Sequence, residues 1–364
     1  MSNKKIELVG SRMIQKFSLE GNVIRLEKSP ELNVTCDYIP IVREDDFLSY
    51  YEEEIVENIP NIFNLDNLTK DGFVYCTPDY IKAQFFDYQE ESVLFQKYFI
   101  SGSNRSSTAK EQSTNEYNVL LLGLDSLSNN DFKYYLPKSF KILQEYTKTI
   151  EFSRYSIVGD GTTPNLLALL TGKFEKDLPN ARKRGENTYY YSNDPILNTF
   201  PWLWDDYKRQ GYTTHWIEDS AIWGTFNHRY VGFKNAPVDN YGRTTMLASY
   251  QDEEKRNKKK PGCFFNRKTH TVLLESMRNF FQVNNGLKRF SLTFLSEVFH
   301  ETTNAVRNLD DDLSKLLTEI IHGINDEASV FYNTILVTFS DHGPRMGLKR
   351  NSQKVVRKEM SYFE

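Results

Sequence analysis

Only three cysteines, Cys36, Cys76 and Cys263, occur in 364 residues, and none stands at Cys-x-x-Cys spacing. A disulfide-framed miniature and a cysteine-built zinc site are thereby excluded, while one Cys36–Cys76 bridge stays open. Long apolar runs are missing too. No stretch approaches the ~18 apolar residues of a membrane helix, and the opening MSNKKIELVG has no apolar signal-peptide core. The expectation is a soluble chain without a transmembrane segment. Nor does one sign of charge dominate: 45 Lys and Arg stand against 49 Asp and Glu, a formal net charge of −4, so no global field points to nucleic acid. The one basic run, Lys255 to Lys260, leads into Pro261-Gly262 and reads as a solvated loop.

What is present suits a packed domain. The apolar share of 39%, with 25 Phe and 22 Tyr, supports a sizeable core and argues against disorder. A length of 364 residues fits one large α/β domain with an extra segment, or two ordinary domains, because single cores stop growing near ~250–300 residues. Residues 1–100 carry short strand-like runs (Glu7 to Leu8, Val23 to Leu26, Phe73 to Cys76) among acidic, turn-rich stretches, and read as an N-terminal accessory segment. Residues 101–116, SGSNRSSTAKEQSTNE, are almost free of apolar side chains and read as a linker. Three Asn-x-Ser/Thr triplets at Asn33, Asn67 and Asn104 fall in the first third and point to an extracellular or secretory-lumen life.

From residue 117 onward apolar runs alternate with helical patterns. The spacing predicts strands at Asn118 to Leu124, Ile150 to Ile157, Tyr212 to Ile217, Phe290 to Leu295 and Thr334 to Phe339. Helices are expected at Pro137 to Lys148, Asn165 to Leu170, Leu197 to Arg209, Val272 to Val283 and Leu309 to Ile324. Strands separated by helices predict an α/β domain with a mostly parallel sheet covered on both faces. In such sheets ligands bind beyond the carboxyl ends of the strands, where five strands would deliver Asp125, Thr162, Glu218 with Asp219, His300, and Asp341 with His342. Ser340-Asp341-His342-Gly343 sets a carboxylate beside an imidazole, with a glycine that lets the backbone turn so both can face one ion. A Thr162 hydroxyl is a weak nucleophile until a metal or base activates it, which Asp125, Asp341 and His342 would do by holding an ion. Mixed oxygen and nitrogen ligation suits Zn²⁺ or Mn²⁺ better than Ca²⁺. Phe200, Trp202, Trp204 and His215 read as core, His228 as pocket lining, and Asp310 to Asp312 as charge placed for a helix N-terminus.

Four ordered segments carry a family resemblance: Leu121-Leu-Gly-Leu-Asp125-Ser, Gly159-Asp-Gly-Thr162-Thr-Pro-Asn165-Leu, Gly224-Thr-Phe-Asn-His-Arg-Tyr-Val-Gly-Phe233 and Phe339-Ser-Asp341-His-Gly-Pro-Arg345. Over roughly residues 117–350, and in the Cys36 and Cys76 region, the chain resembles the sulfatase-like family of unknown function found in invertebrate animals, within the alkaline phosphatase superfamily. The resemblance implies a three-layer α/β/α sandwich in which Asp125, Thr162, Asp341 and His342 bind one divalent metal. It puts His300, with Asn304 or Glu297, near a second metal or the substrate, and makes Asn165, Asn304 and His228 substrate contacts. The substrate implied is an anionic phosphoric or sulfuric ester, on a glycan or a lipid. Two departures matter. Thr162-Thr-Pro164-Asn165 lacks the Cys or Ser and the Arg of the formylglycine motif, so phosphate-acting members with a Thr nucleophile are the nearer model. Only 22 residues follow His342, where the superfamily usually supplies another His, so a C-terminal part is expected to be missing. The leading expectation is a metal-dependent ester hydrolase or transferase; the rival is a non-catalytic sulfatase-like binding protein.

Overall fold

The structure, a computed structural model, describes residues 14–20, 23–28, 34–51, 55–64, 72–78, 95–99, 116–181, 197–255, 262–264, 267–301 and 305–344. The strand expected at Glu7 to Leu8, the linker up to residue 115, the basic run after Lys255, Asn304 and the triplet asparagines Asn33, Asn67 and Asn104 lie outside the described residues.

The N-terminal part is antiparallel. Strands β1 (Ile14–Glu20), β2 (Val23–Lys28) and β5 (Ile62–Asn64) form one sheet; β3 (Val34–Arg43), β4 (Ser49–Tyr51), β6 (Gly72–Pro78) and β7 (Phe95–Phe99) form another in the order β4-β3-β6-β7. Cys36 on β3 stands opposite Cys76 on β6. Cys36 is disulfide-bonded, and Cys263 is not in a disulfide.

The C-terminal part is built on β8 (Asn118–Leu124), β9 (Thr213–Glu218), β10 (Asn240–Tyr241), β13 (Arg289–Leu295) and β14 (Thr334–Phe339), ordered β10-β9-β13-β8-β14 with every neighbouring pair parallel. A hairpin of β11 (Cys263–Phe264) and β12 (Arg267–Lys268) lies outside this sheet. The helices are α1 (Asn129–Tyr135), α2 (Pro137–Glu145), α3 (Thr162–Thr171), α4 (Leu203–Arg209), α5 (Arg243–Lys255), α6 (Thr269–Val283), α7 (Glu297–Glu301) and α8 (Asp310–Gly323). Because side chains alternate along a strand, Leu120, Leu122 and Leu124 of β8 join a core with residues of α1, α2, α5, α6 and α8, while Leu121 joins a second core with α3 and α4. Two cores back to back across one sheet make the three-layer α/β architecture that the strand and helix alternation predicts. Among the described residues no helix is long and apolar enough to cross a membrane.

Two local expectations are corrected. Residues 150–157 form turns and loop rather than a strand. Both edges of β8 are already taken by β13 and β14, and Ile150 and Phe152 turn outward, 69% and 54% exposed. The helix expected from Leu197 begins as a 3-10 turn and becomes α-helical only at Leu203, because Pro201 lacks an N–H and biases Phe200 away from helical angles. Trp202 and Trp204 are nonetheless core, stacked at 4.5 Å between ring centroids. His215 is core as well: it stacks on Phe280 at 4.9 Å, its Nδ1 lies 2.8 Å from Ser291 Oγ, and burial pushes its imidazole down to about 3.

Asp310 serves a helix terminus, though not only its own. Its carboxylate accepts from Lys138 N at 3.0 Å, Ser139 N at 2.9 Å and Ser139 Oγ at 2.8 Å, closing the open N-terminus of α2 across the core. Asp310→Ala is expected to cost about 1–2 kcal/mol, read as a lowered urea midpoint at unchanged slope.

Candidate metal and nucleophile site

Parallel strands in register end together, so β8, β9, β13 and β14 deliver their carboxyl ends to one edge. There β8 hands over to Asp125, β14 to Ser340-Asp341-His342, β13 to Ser296-Glu297, and β9 ends on Glu218 before Asp219. Four strands rather than five supply this rim, and Thr162 arrives as the first residue of α3.

Asp125, Asp341 and His342 are all buried, and one ligand atom from each lies within 4.8 Å of the others. His342 Nε2 stands 3.2 Å from Asp341 Oδ2 and 3.8 Å from Asp125 Oδ1. Thr162 Oγ1 is 3.4 Å from the same nitrogen. Backbone and neighbouring hydroxyls orient each group. His342 Nδ1 lies 2.7 Å from Gly343 O, a contact that puts the ring proton on Nδ1 and leaves the Nε2 lone pair facing the carboxylates. Asp341 Oδ1 accepts from Ser126 N at 3.0 Å and His342 N at 2.8 Å. Ser126 Oγ donates to Asp125 Oδ1 at 2.7 Å, from a residue held at φ 57°, a left-handed conformation that a serine rarely adopts.

The donor set fits a divalent cation. Asp341 Oδ2 is buried without a hydrogen-bond donor, and it faces an imidazole lone pair and a second carboxylate. Buried acceptors crowded this way are costly unless a positive charge joins them. Burial, and then the Asp125 charge, push the Asp341 carboxyl up to about 7. Burial together with the Asp341 charge also pushes the Tyr155 phenol up to about 12, so it stays protonated beside the site.

The turn before Thr162 is stapled from within. Gly161 caps α3 at φ 97°, which favours glycine, and no side chain caps the first turn, so its N–H groups stay available to an anion. Asn165, expected as a substrate contact, is bonded within the turn itself. It is buried; its Oδ1 accepts from Val158 N at 2.8 Å and Gly159 N at 3.2 Å, and its Nδ2 donates to Gly159 O at 3.0 Å and Gly161 O at 2.7 Å. Both ends of its amide are engaged in the turn. His228 is exposed, with its ring 5.5 Å from that of Trp223, itself 62% exposed. His300 lies on α7, three residues after Glu297. The start of α7 is fixed by Asp219, whose Oδ1 accepts from Ser296 N at 2.8 Å, Ser296 Oγ at 3.1 Å and Glu297 N at 3.1 Å. Burial and the Glu297 charge push the Asp219 carboxyl up to about 7. A cavity of about 780 Å³ opens beside the turn before Thr162, lined in part by Gly159, Asp160, Pro164, Phe174, Arg229 and Tyr230.

The profile of the family described as Protein of unknown function (DUF229) matches residues 4–361. The chain belongs to that family. No curated protein matches it. Among solved structures it is similar to a protein in the alkaline phosphatase superfamily from Vibrio parahaemolyticus, at 18% identity and a TM-score of 0.44, covering 79% of this chain and 67% of that one. It is similar also to the C-terminal periplasmic domain of EcEptC from Escherichia coli, at 15% identity and a TM-score of 0.42, covering 72% and 75%. A third is the phosphonate monoester hydrolase SpPMH from Silicibacter pomeroyi, at 12% identity and a TM-score of 0.40, covering 63% of each chain. Likeness of this degree says nothing of what this chain acts on.

Sequence reasoning misses three supports around the site. Ser126 and Ser340 support the ligands, Ser340 Oγ accepting from Leu127 N at 3.1 Å and donating to His342 O at 3.0 Å. Their adjacency to Asp125 and Asp341 was the only hint. Asp46 reaches the 224–233 loop from far away in the chain.

Proposed function

We propose that the chain is a metal-dependent hydrolase or transferase of phosphoric or sulfuric esters, with Thr162 as nucleophile and a phosphoester as the favoured substrate. One observation carries the reading: Thr162 Oγ1, at the open N-terminus of α3, meets the buried Asp125, Asp341 and His342 within hydrogen-bond range of His342 Nε2. Asp125, Asp341, His342 and Thr162 would hold one divalent ion, Zn²⁺ or Mn²⁺, which supplies Lewis acidity and lowers the Thr162 hydroxyl pKa. Thr162 Oγ1 gives up its proton to a solvent water and attacks phosphorus, forming a P–Oγ1 bond as the bond to the leaving oxygen breaks. The N–H groups of the α3 first turn hold the non-bridging oxygens. A proton from His300 neutralises the leaving alkoxide, and water, or a second alcohol in a transferase, then opens the phosphothreonine. The cavity beside Gly159 and Arg229 offers room for the organic part of the ester, a glycan or a lipid alcohol. The test is turnover of a generic aryl phosphate, with and without chelator and added Zn²⁺ or Mn²⁺. Turnover that vanishes with the metal upholds the reading; no turnover of any phosphate or sulfate ester makes the chain a sulfatase-like binding protein.

We also propose a secretory or extracellular life. The disulfide at Cys36 supports it, because such bonds persist in oxidising compartments, and the triplets at Asn33, Asn67 and Asn104 add the sites for N-glycans. Alkylation of denatured protein from its native cells is expected to tag Cys263 alone without reductant and all three cysteines after reduction. Three free thiols together with three unmodified asparagines would refute the compartment.

A further inference from the structure

Asp46 lies in the turn between β3 and β4, more than a hundred residues before the nucleophile, yet its side chain is fully buried against the 224–233 loop. Its Oδ1 accepts from Arg43 Nη2 at 2.7 Å; its Oδ2 accepts from Phe233 N at 2.8 Å and Asn227 Nδ2 at 3.1 Å. Its carbonyl accepts from Arg243 Nε at 3.0 Å and Nη2 at 2.8 Å. Gly232, at φ +85°, passes so close that a Cβ there would stand 2.3 Å from Asp46 Oδ2. Arg43 fastens the same stretch again, donating to Phe233 O at 2.7 Å and Lys234 O at 2.9 Å.

The loop held this way grips the chain on both sides of Thr162. Arg229 Nη2 donates to Asp160 O at 2.7 Å, and Thr163 Oγ1 donates to Thr225 O at 2.8 Å. The far end of Thr225 is fixed too, its N–H donating to Glu218 Oε2 at 2.8 Å, while Glu218 Oε1 meets Arg243 Nη1 at 3.3 Å. We propose that Asp46 is a positioning residue for the nucleophile: through the 224–233 loop, the N-terminal segment sets where the Gly161-Thr162 turn stands relative to Asp341 and His342. The buried, charge-assisted character of these bonds makes the clamp stiff, since each acceptor left without its donor loses more than a solvated pair would. The catalytic arm of the test rests on Thr162 being the nucleophile; the exchange arm does not.

Hydrogen exchange on the full chain tests the clamp. In Asp46→Asn one carboxylate acceptor becomes an amide donor facing another donor. Amides of residues 158–166 and 224–233 are then expected to exchange on the order of tenfold faster, with the remaining sheet within about twofold. Asn227→Ala, which removes one of the donors to Asp46 Oδ2, is expected to give the same pattern at smaller amplitude and serves where Asp46→Asn fails to fold. Ile320→Val, on α8 and in the core opposite the one that α3 joins, is expected to lower stability without loosening 158–166. In the aryl phosphate assay Asp46→Asn is expected to lose about tenfold or more in kcat, with KM and metal affinity within about threefold of wild type. Unchanged protection of 158–166 in both variants, or a loss no more local than that of Ile320→Val, would overturn the proposal. A wild-type chain that turns nothing over would sink the enzymatic reading and leave the exchange result to decide the clamp.

Discussion

Thr162→Ala is expected to lower metal-dependent turnover of an aryl phosphate by on the order of 10³ or more and to leave the fold intact. The loss follows from chemistry: the hydroxyl that forms the new bond is gone, and water in its place lacks the fixed position 3.4 Å from His342 Nε2. The fold survives because Thr162 is only half-buried and opens α3, where alanine is a better helix former. Its neighbour Thr163 keeps the bond to Thr225 O. Thr162→Ser keeps a primary hydroxyl in nearly the same place and is expected to retain measurable activity. A formylglycine sulfatase would respond differently, because neither Thr nor Ala yields the aldehyde hydrate that chemistry needs. Wild-type rates in Thr162→Ala would remove the nucleophile assignment while leaving the metal site standing.

Legibility differed from one element to the next for physical reasons. Asn118 to Leu124 was read to the residue because a strand buried on both faces needs an unbroken apolar run, and here Leu120 and Leu121 serve opposite cores. Asp341 and His342 were legible because the carboxylate and imidazole adjoin in sequence and both follow a buried strand; they meet Asp125 as expected. Residues 150–157 misled: their apolar content suits a strand, and the absence of a free sheet edge beside β8 is a property of the assembled sheet. Asn165 was expected as a substrate contact, and only the folded turn shows that its amide closes on Val158, Gly159 and Gly161. Asp46 was out of reach of any local pattern, because its partners Asn227 and Phe233 lie far along the chain. Sequence periodicity reports which face of an element is buried; it does not report which distant loop a buried carboxylate will hold.

Asp341→Asn is expected to reverse sign between the metal-free and metal-loaded protein. The Asp341 carboxyl rises from 3.8 to about 7 on folding, through burial and the Asp125 charge. A group raised in the folded state contributes stability below its unfolded value and loses it as pH rises through the folded one. Metal-free wild type is therefore expected to lose stability between about pH 4 and 7. The Asn variant carries no charge there and escapes this loss, so at pH 8 the metal-free variant is expected to melt above metal-free wild type. Asp219 titrates in the same range, but it is present in both proteins and cancels in the comparison. Added Zn²⁺ or Mn²⁺ changes the order. Ligand at about a hundred times its Kd stabilises a folded protein by about 2.7 kcal/mol, and wild type receives that gain because Asp341 Oδ2, which has no donor, is free to ligate. In the variant the amide keeps the bonds from Ser126 N and His342 N at Oδ1, which turns its NH₂ toward His342 Nε2 and blocks that lone pair. Melting curves at pH 5 and 8, with chelator and with metal, read all four states, and equal metal stabilisation of both proteins would remove Asp341 from the ligand set.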